Sequence, residues 1–283
     1  GPPVYPAQGW SELPGESGEN LYREILLNIL PEYIVEELVS KRSVHPKVYR
    51  HSTIMFTDVV RFSRLAFHLD PVTLIRKLDS YFSLYDSVMD QFCMEKIKTI
   101  GDSYMCVSGI PVKKKSHAVD CCLAALSIRG AMKRTGEPNL IDGIDINNWS
   151  IRIGIHSGPC ISGVVGNKKY TFDIWGDTVN IAARMERSGE PGSINISEST
   201  FREVVELFEC RYRGEQEVRH IGPIGMYFLD RIKPGFSEDG VVPNQAFRRY
   251  YHDNFYRNST QIPWAVLPAI LREPEREKTR EGV

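Results

Sequence analysis

No stretch of this 283-residue chain comes near the ~20 apolar residues that a bilayer-spanning helix needs. The longest candidate, Ile262 to Leu271, is short and interrupted by two prolines, so a soluble, cytoplasmic fragment is expected. Charge of one sign is also lacking: 35 Lys and Arg against 36 Asp and Glu leave a net charge of -1. Nucleic-acid-binding modules carry a strong basic excess, so no nucleic-acid partner is expected. The lone basic run, Lys113 to Lys115, reads as a solvated loop. The six cysteines, at 93, 106, 121, 122, 160 and 210, form no C-x-x-C pair, which leaves buried free thiols in a reducing cytosol as the expectation. An initial methionine is missing as well. The opening Gly1-Pro2 is expected to be the remnant of a cleaved tag on a piece of a longer protein, with a regulatory domain upstream.

What is there is an ordinary globular composition, 42% hydrophobic and 25% charged, enough to bury a sizeable core. Residues 1–19, rich in Gly, Pro, Ser and Glu, read as a flexible leader. Residues 20–46 read as a helical linker. Leu21, Ile25, Leu26 and Ile29 form a helical stripe, and Pro31 restarts a second helix bearing Ile34, Val35 and Leu38. Such a stripe needs a cover, either its own domain, the favoured choice, or its twin in a dimer.

From residue 47 the pattern becomes mixed α/β. Ser52 to Val59 reads as a buried strand, and Asp70-Pro71 as the N-cap and first position of a helix. Lys96 to Ile100, Gly101-Asp102 and Ser103 to Ser108 read as strand, tight turn and strand. Ser116 caps a helix reaching about Met132, a polar insertion follows over 135–148, and Trp149 to His156 is the next strand. That order is β-α-β-β-α-β, the ferredoxin-like split βαβ core. A further strand near Ile161, a helix from about Thr178 to Arg187, and a βαββ extension ending at Leu229 complete an α+β domain over 47–230. Residues 231–283 read as an arm that wraps the domain or stays loose, weakest at Ser237 to Asn244.

In that topology the strand after the hairpin runs antiparallel to the first strand, so Asp58 and Asp102 meet at one sheet edge. Two carboxylates brought together repel, and the arrangement is tolerated chiefly when a cation sits between them. With oxygen donors only and no nearby His or Cys, the cation should be hard, Mg2+ or Mn2+, completing its shell with phosphate oxygens and water. Taken singly, either aspartate could equally be a turn or cap residue.

They do not occur singly. Phe56-Thr57-Asp58, then Glu95 through Met105, then Ile151-Arg152-Ile153-Gly154-Ile155-His156-Ser157-Gly158, then Asp173 through Glu186 follow one another along the chain. The set closely resembles the class III nucleotidyl cyclase family across roughly residues 47–230. The resemblance implies a homodimer that converts ATP to cyclic AMP and pyrophosphate with two divalent cations, Mg2+ or Mn2+. It implies that Asp58 and Asp102 bridge the two metals from one protomer. One ion lowers the pKa of the ribose 3'-hydroxyl and the other clamps the triphosphate. Arg152 then contacts phosphate from the same protomer, unless it is only a strand-end arginine in solvent.

The partner protomer is expected to supply Asn180 and Arg184, four apart on one helix face, to orient the ribose and stabilise charge on the pentavalent phosphorus. An ion pair of Arg184 with Glu186 or Glu190 is the competing reading. Near the last strands the family places lysines in a Val-Lys-Gly-Lys-Gly context; here Val218-Arg219-His220-Ile221-Gly222 keeps the first basic position as Arg219 and loses the second to Ile221. For the base, Lys98 as donor and Asp173 as acceptor, also expected from the partner protomer, complement adenine, whereas guanylyl members carry a Glu and Cys pairing. A Lys98–Asp173 ion pair in an empty site is compatible with that role. A guanylyl cyclase and a non-catalytic cyclase-like module remain as alternatives; a member of the latter kind would be expected to lack an aspartate, Asn180 or Arg184, and none is missing.

Overall fold

The computed structural model describes residues 16–41, 43–132, 137–166, 169–218 and 221–256. Most of the expected leader, the Ile262 to Leu271 segment, the distal arm and Arg219 lie outside the described residues. The chain divides into two compact units, one comprising Gly1–Pro46 with Gly163–Asp173, the other Lys47–Ser162 with Ile174–Val283.

The first unit contains α1 (Glu16–Leu27) and α2 (Glu32–Lys41). The second helix buries Ile34 and Val35, and Tyr33 meets Phe172 edge-on with ring centroids 6.0 Å apart. Leu21, Ile25 and Leu26 of α1, with Ile29 just beyond it, are 39–64% exposed.

The second unit runs β1 (Lys47–Val59), α3 (Phe62–His68), α4 (Pro71–Gln91), β2 (Glu95–Ile100), β3 (Ser103–Ser108) and α5 (His117–Ala131). A small hairpin, β4 (Leu140–Ile141) and β5 (Ile144–Asp145), lies in the polar insertion, and β6 (Ile151–Val165) and β7 (Thr171–Trp175) reach into the first unit's residues. Then come α6 (Asp177–Arg187), β8 (Ile194–Ser197), α7 (Glu198–Val204), β9 (Phe208–Val218), β10 (Gly222–Ile232), α8 (Gln245–Tyr251) and a π-helical turn, His252–Tyr256. The main sheet has the order β2-β3-β1-β6-β8-β10-β9. Strand β1 is antiparallel to both β3 and β6, and β6 to β8 is the parallel pair.

The strand placed near Ile161 is the continuation of β6 rather than a separate element. Pro159 interrupts the reading because it carries no N–H for a ladder. The structure accommodates it opposite a register shift in β1 between Tyr49 and Ser52. Helix α4 starts as its sequence dictates, with Asp70 Oδ1 accepting the Thr73 N–H at 3.0 Å and Pro71 at the first position. Helix α5 does not: Ser116 makes no capping bond, and its hydroxyl donates to Asp120 Oδ2 at 2.9 Å.

Helices α4 and α5 pack on one face of the sheet, against Met55, Tyr104 and Cys106, while α6 lies on β1 from the other face. The glycines of the I-G-I-H-S-G run create that second seat. A Cβ on Gly154 would stand 1.9 Å from the Glu186 amide nitrogen, and one on Gly158 2.7 Å from Thr178 Oγ1. Only glycine admits the helix this closely.

One expectation on the periphery is overturned. Lys114 is not a solvated loop residue: its side chain is 1% exposed, 2.7 Å from the fully buried Asp120, and it donates to the Phe92 and Cys93 carbonyls. Of the two readings of the arm, the one that wraps it on the domain describes 231–256. Ser237 is buried, donating to Val242 O at 2.7 Å and accepting the Gly240 N–H at 2.9 Å. Phe247 and Tyr251 enter the core, and Tyr251 donates to Asp120 Oδ1 at 2.6 Å. Asp120 thus satisfies an ammonium and two hydroxyls at once. Replacing it by alanine strands a buried cation, and we expect Asp120→Ala to cost about 3–5 kcal/mol in urea unfolding. Tyr251→Phe, which removes one hydrogen bond to a charged group, is expected to cost about 1.5–3 kcal/mol.

Candidate active site

The site grows from the end of β1. Six consecutive residues of this strand are buried, and Asp58 emerges next to last with its side chain 23% exposed. Antiparallel pairing with β3 sets Thr57 opposite Tyr104, so the β2–β3 turn arrives beside the strand end. Gly101, at φ 63°, makes that turn possible, and Asp102 follows it. The Val59 N–H donates to Asp102 Oδ2 at 3.2 Å, fixing this carboxyl next to Asp58. Burial first, and the negative charge of Asp58 second, push the Asp102 carboxyl up to about 6 from 3.8. A cation between the two would relieve that repulsion.

Arg152, the second residue of β6, lies directly across the ladder from Asp58. It does not point freely into solvent. Its Nη2 donates to Asp58 Oδ2 at 2.8 Å and its Nε to Glu186 Oε1 at 2.9 Å. Burial alone would lower the Arg152 pKa, but the two carboxylates outweigh it and raise the value. Glu186 is the residue the sequence reading missed in this role, having been considered only as a partner for Arg184. Its signal was present: Ile181, Ala182 and Met185 form the buried stripe of α6, and Glu186 falls inside that stripe. A carboxylate at a core-facing helix position needs a buried cation.

Asn180 and Arg184 lie on the opposite, exposed face of α6. Among the described residues Arg184 makes no ion pair, because Glu186 is taken by Arg152 and Glu190 by Arg213, 3.6 Å away. It lines instead a pocket of about 200 Å³ with Arg187, Ser188, Gln216 and Glu217. Lys98 is half-buried on β2. A bulge there sets Lys96 opposite Cys106 but Lys98 opposite Met105, so the two lysines take opposite faces. Met105 is opposite Phe56 and Phe56 opposite Gly154, which puts Lys98 on the face that carries Asp58, Arg152 and α6. Asp173 sits half-buried on β7, in the first unit. The structure therefore brings Asp58, Asp102 and Arg152 together, and directs Asn180 and Arg184 elsewhere.

Comparison with known proteins agrees with this frame. The family model for the adenylate and guanylate cyclase catalytic domain matches residues 44–231. The chain is 37% identical over 206 residues to the rat guanylate cyclase soluble subunit beta-2, covering 72% of this chain and 30% of that protein. It is 33% identical to an adenylate cyclase of Mycobacterium tuberculosis, covering 72% of this chain and 45% of that one. Less than half the length of these curated relatives is spanned. Among solved structures, the guanylate cyclase domain of RhGC from Catenaria anguillulae, in complex with GTP, is 30% identical with a TM-score of 0.61, covering 66% of this chain and all of that one. Fold, motif order and these matches together make the chain a member of the class III nucleotidyl cyclases, through its adenylate and guanylate cyclase catalytic domain.

Proposed function

We propose that this domain is an adenylyl cyclase, converting ATP to 3',5'-cyclic AMP and pyrophosphate at composite sites of a homodimer. The observation that carries the composite site is the two-sidedness of α6. Glu186 faces inward to the Arg152–Asp58 pair of its own chain. Arg184, two residues earlier and so about 200° around the helix axis, faces outward with Asn180. A helix so oriented cannot offer Arg184 to its own Asp58, whereas a two-fold partner gives each metal pair an Asn180 and Arg184 from the other protomer.

Class III cyclases use divalent metal ions, and Asp58 with Asp102 fits one in charge and donor type. Among the described residues no group of three or more His, Cys, Asp or Glu converges, so substrate phosphates and water would complete the shell. Bound there, Mg2+ or Mn2+ would acidify the ribose 3'-hydroxyl and neutralise triphosphate charge. The chain's own residues do the rest. Arg152 holds phosphate oxygens, Asn180 orients the ribose, and Arg184 stabilises charge building on the α-phosphorus. Arg219 is assigned to the terminal phosphates, with the exposed Ile221 in place of a second basic residue.

Adenine selection is assigned to Lys98, donating to N1, and Asp173, accepting from the 6-amino group. Guanine, with donor and acceptor reversed, would leave both unmatched. The test is to incubate the purified chain with Mn2+ and either ATP or GTP, and identify the cyclic product by chromatography. Cyclic AMP should form at least about tenfold faster than cyclic GMP. Preference for GTP would move the assignment to guanylyl cyclase, the activity named for several relatives.

A further inference from the structure

We propose that Arg152 occupies the cation position of Asp58 when no metal is bound, and that Glu186 is the positioning residue that retains Arg152 when a metal displaces it. The inference deepens the proposed function and rests on its reading of Asp58 as a metal ligand.

The geometry is that of one guanidinium shared between two carboxylates. Nη2 reaches Asp58 Oδ2 at 2.8 Å and Nε reaches Glu186 Oε1 at 2.9 Å. These are separate N–H donors of a planar, permanently charged group, each with its own carboxylate, so one partner can be lost while the other is kept. The two carboxylates are not equally placed. Asp58 is at the strand end, 23% exposed and next to Asp102, whereas Glu186 is 7% exposed on the inner face of α6. An entering divalent cation therefore competes for Asp58 and not for Glu186. Arg152 would lose its bond to Asp58, because two cations on one carboxylate repel. Its Nε remains tied to Glu186, which leaves Nη2 beside the metal pair and free to take a phosphate oxygen. Without the tether a flexible arginine would leave at an entropic cost to every binding event. The close seat of α6 on Gly154 keeps Glu186 in reach of the strand end.

This predicts opposite effects of the two residues on metal binding in the absence of nucleotide. Mn2+ alone is titrated onto the full chain, with free Mn2+ followed by electron paramagnetic resonance. Arg152→Met removes the competitor and should tighten Mn2+ binding about tenfold. Glu186→Gln deprives the displaced arginine of its second carboxylate and should weaken binding by a similar factor. The decisive protein is the double variant. If Glu186 acts through Arg152, then Glu186→Gln should change nothing in the Arg152→Met background. If it acts directly through its charge, it should weaken binding there too, and the positioning role is overturned. Unchanged affinity in Arg152→Met overturns the counter-ion role. Asp58→Asn separates the two levels: its failure to reduce Mn2+ binding overturns the metal assignment itself, whereas reduced binding together with silent Arg152 and Glu186 variants overturns only this inference. Far-UV circular dichroism on each variant shows that the fold is kept, and Arg152→Lys, which retains the charge but cannot fork to two carboxylates, should fall between wild type and Arg152→Met.

Discussion

Asp58→Asn and Asp102→Asn are each expected to lower turnover by about a thousandfold or more while the fold survives. Each carboxylate serves a charge that the chain itself cannot replace, and several kcal/mol of metal-derived stabilisation at about 1.4 kcal/mol per decade sets the scale. Loss of the fold is not expected, because Asp102 is held against repulsion in the metal-free protein and the amide oxygen of an asparagine at 58 can still accept from Arg152. Burial and Asp58 raise the Asp102 carboxyl from 3.8 to about 6. The folded state thus keeps a proton that the unfolded chain releases, and stability falls as pH rises from about 4 to about 6. Asp102→Asn removes this penalty. Its melting temperature without metal should exceed that of wild type at pH 7.5, and the difference should vanish below pH 4, where wild-type Asp102 is neutral. Added Mn2+ should raise the wild-type melting temperature and leave both variants unmoved. Substantial activity in either variant, or full wild-type activity in chelator, would overturn the two-carboxylate assignment.

The approach of Asp58 to Asp102 was legible because it follows from topology alone. A buried strand, a glycine turn and antiparallel return strands leave one place for the two residues to go, whatever the side-chain packing. The inward partner of Arg152 was not legible in the same way. Asp58 and Arg152 are 94 residues apart and Arg152 and Glu186 34 apart, and their contact depends on how closely α6 approaches β6. The glycines of the I-G-I-H-S-G run encode that approach, but only a structure says what fills the space they leave. The bulge before Lys98 is similar, since nothing local in Glu95-Lys96-Ile97-Lys98 marks the extra residue that puts Lys98 on the opposite face from Lys96.

Lys114 was misread for a physical reason of the same kind. Within Lys113-Lys114-Lys115 the three residues are chemically identical, and burial of the middle one depends on Asp120 beneath it and Tyr251, 131 residues beyond Asp120. The same contact decides between the two readings of the segment after 231, holding it against the domain. Its aromatics are isolated along the chain, yet Phe236, Phe247 and Tyr251 converge in space, with Phe236 and Phe247 rings 6.1 Å apart. Conversely, the α1 stripe has a helical period, yet Leu21, Ile25 and Leu26 are 39–56% exposed. Periodicity reports that a face is apolar, not what it packs on.

The composite site is tested most directly by mixing two inactive proteins. Asp58→Ala homodimers lack a metal carboxylate in both sites, and Arg184→Ala homodimers lack the outward donor in both, which should cost about 10² to 10³ in rate. In a mixed dimer both lesions fall in one site, because the Asp58→Ala chain supplies the metal half exactly where its partner supplies the defective helix α6. The other site is wild type. With free exchange about half of the dimers in an equal mixture are mixed, and each of these carries one working site of two. Cyclic AMP formation should therefore return to about a quarter of the wild-type rate per chain, and should follow the product of the two mole fractions as the mixing ratio is varied. No recovery, with subunit exchange demonstrated by differently tagged chains, would mean that each site is built within a single chain and would contradict the assignment of α6 to the partner's site.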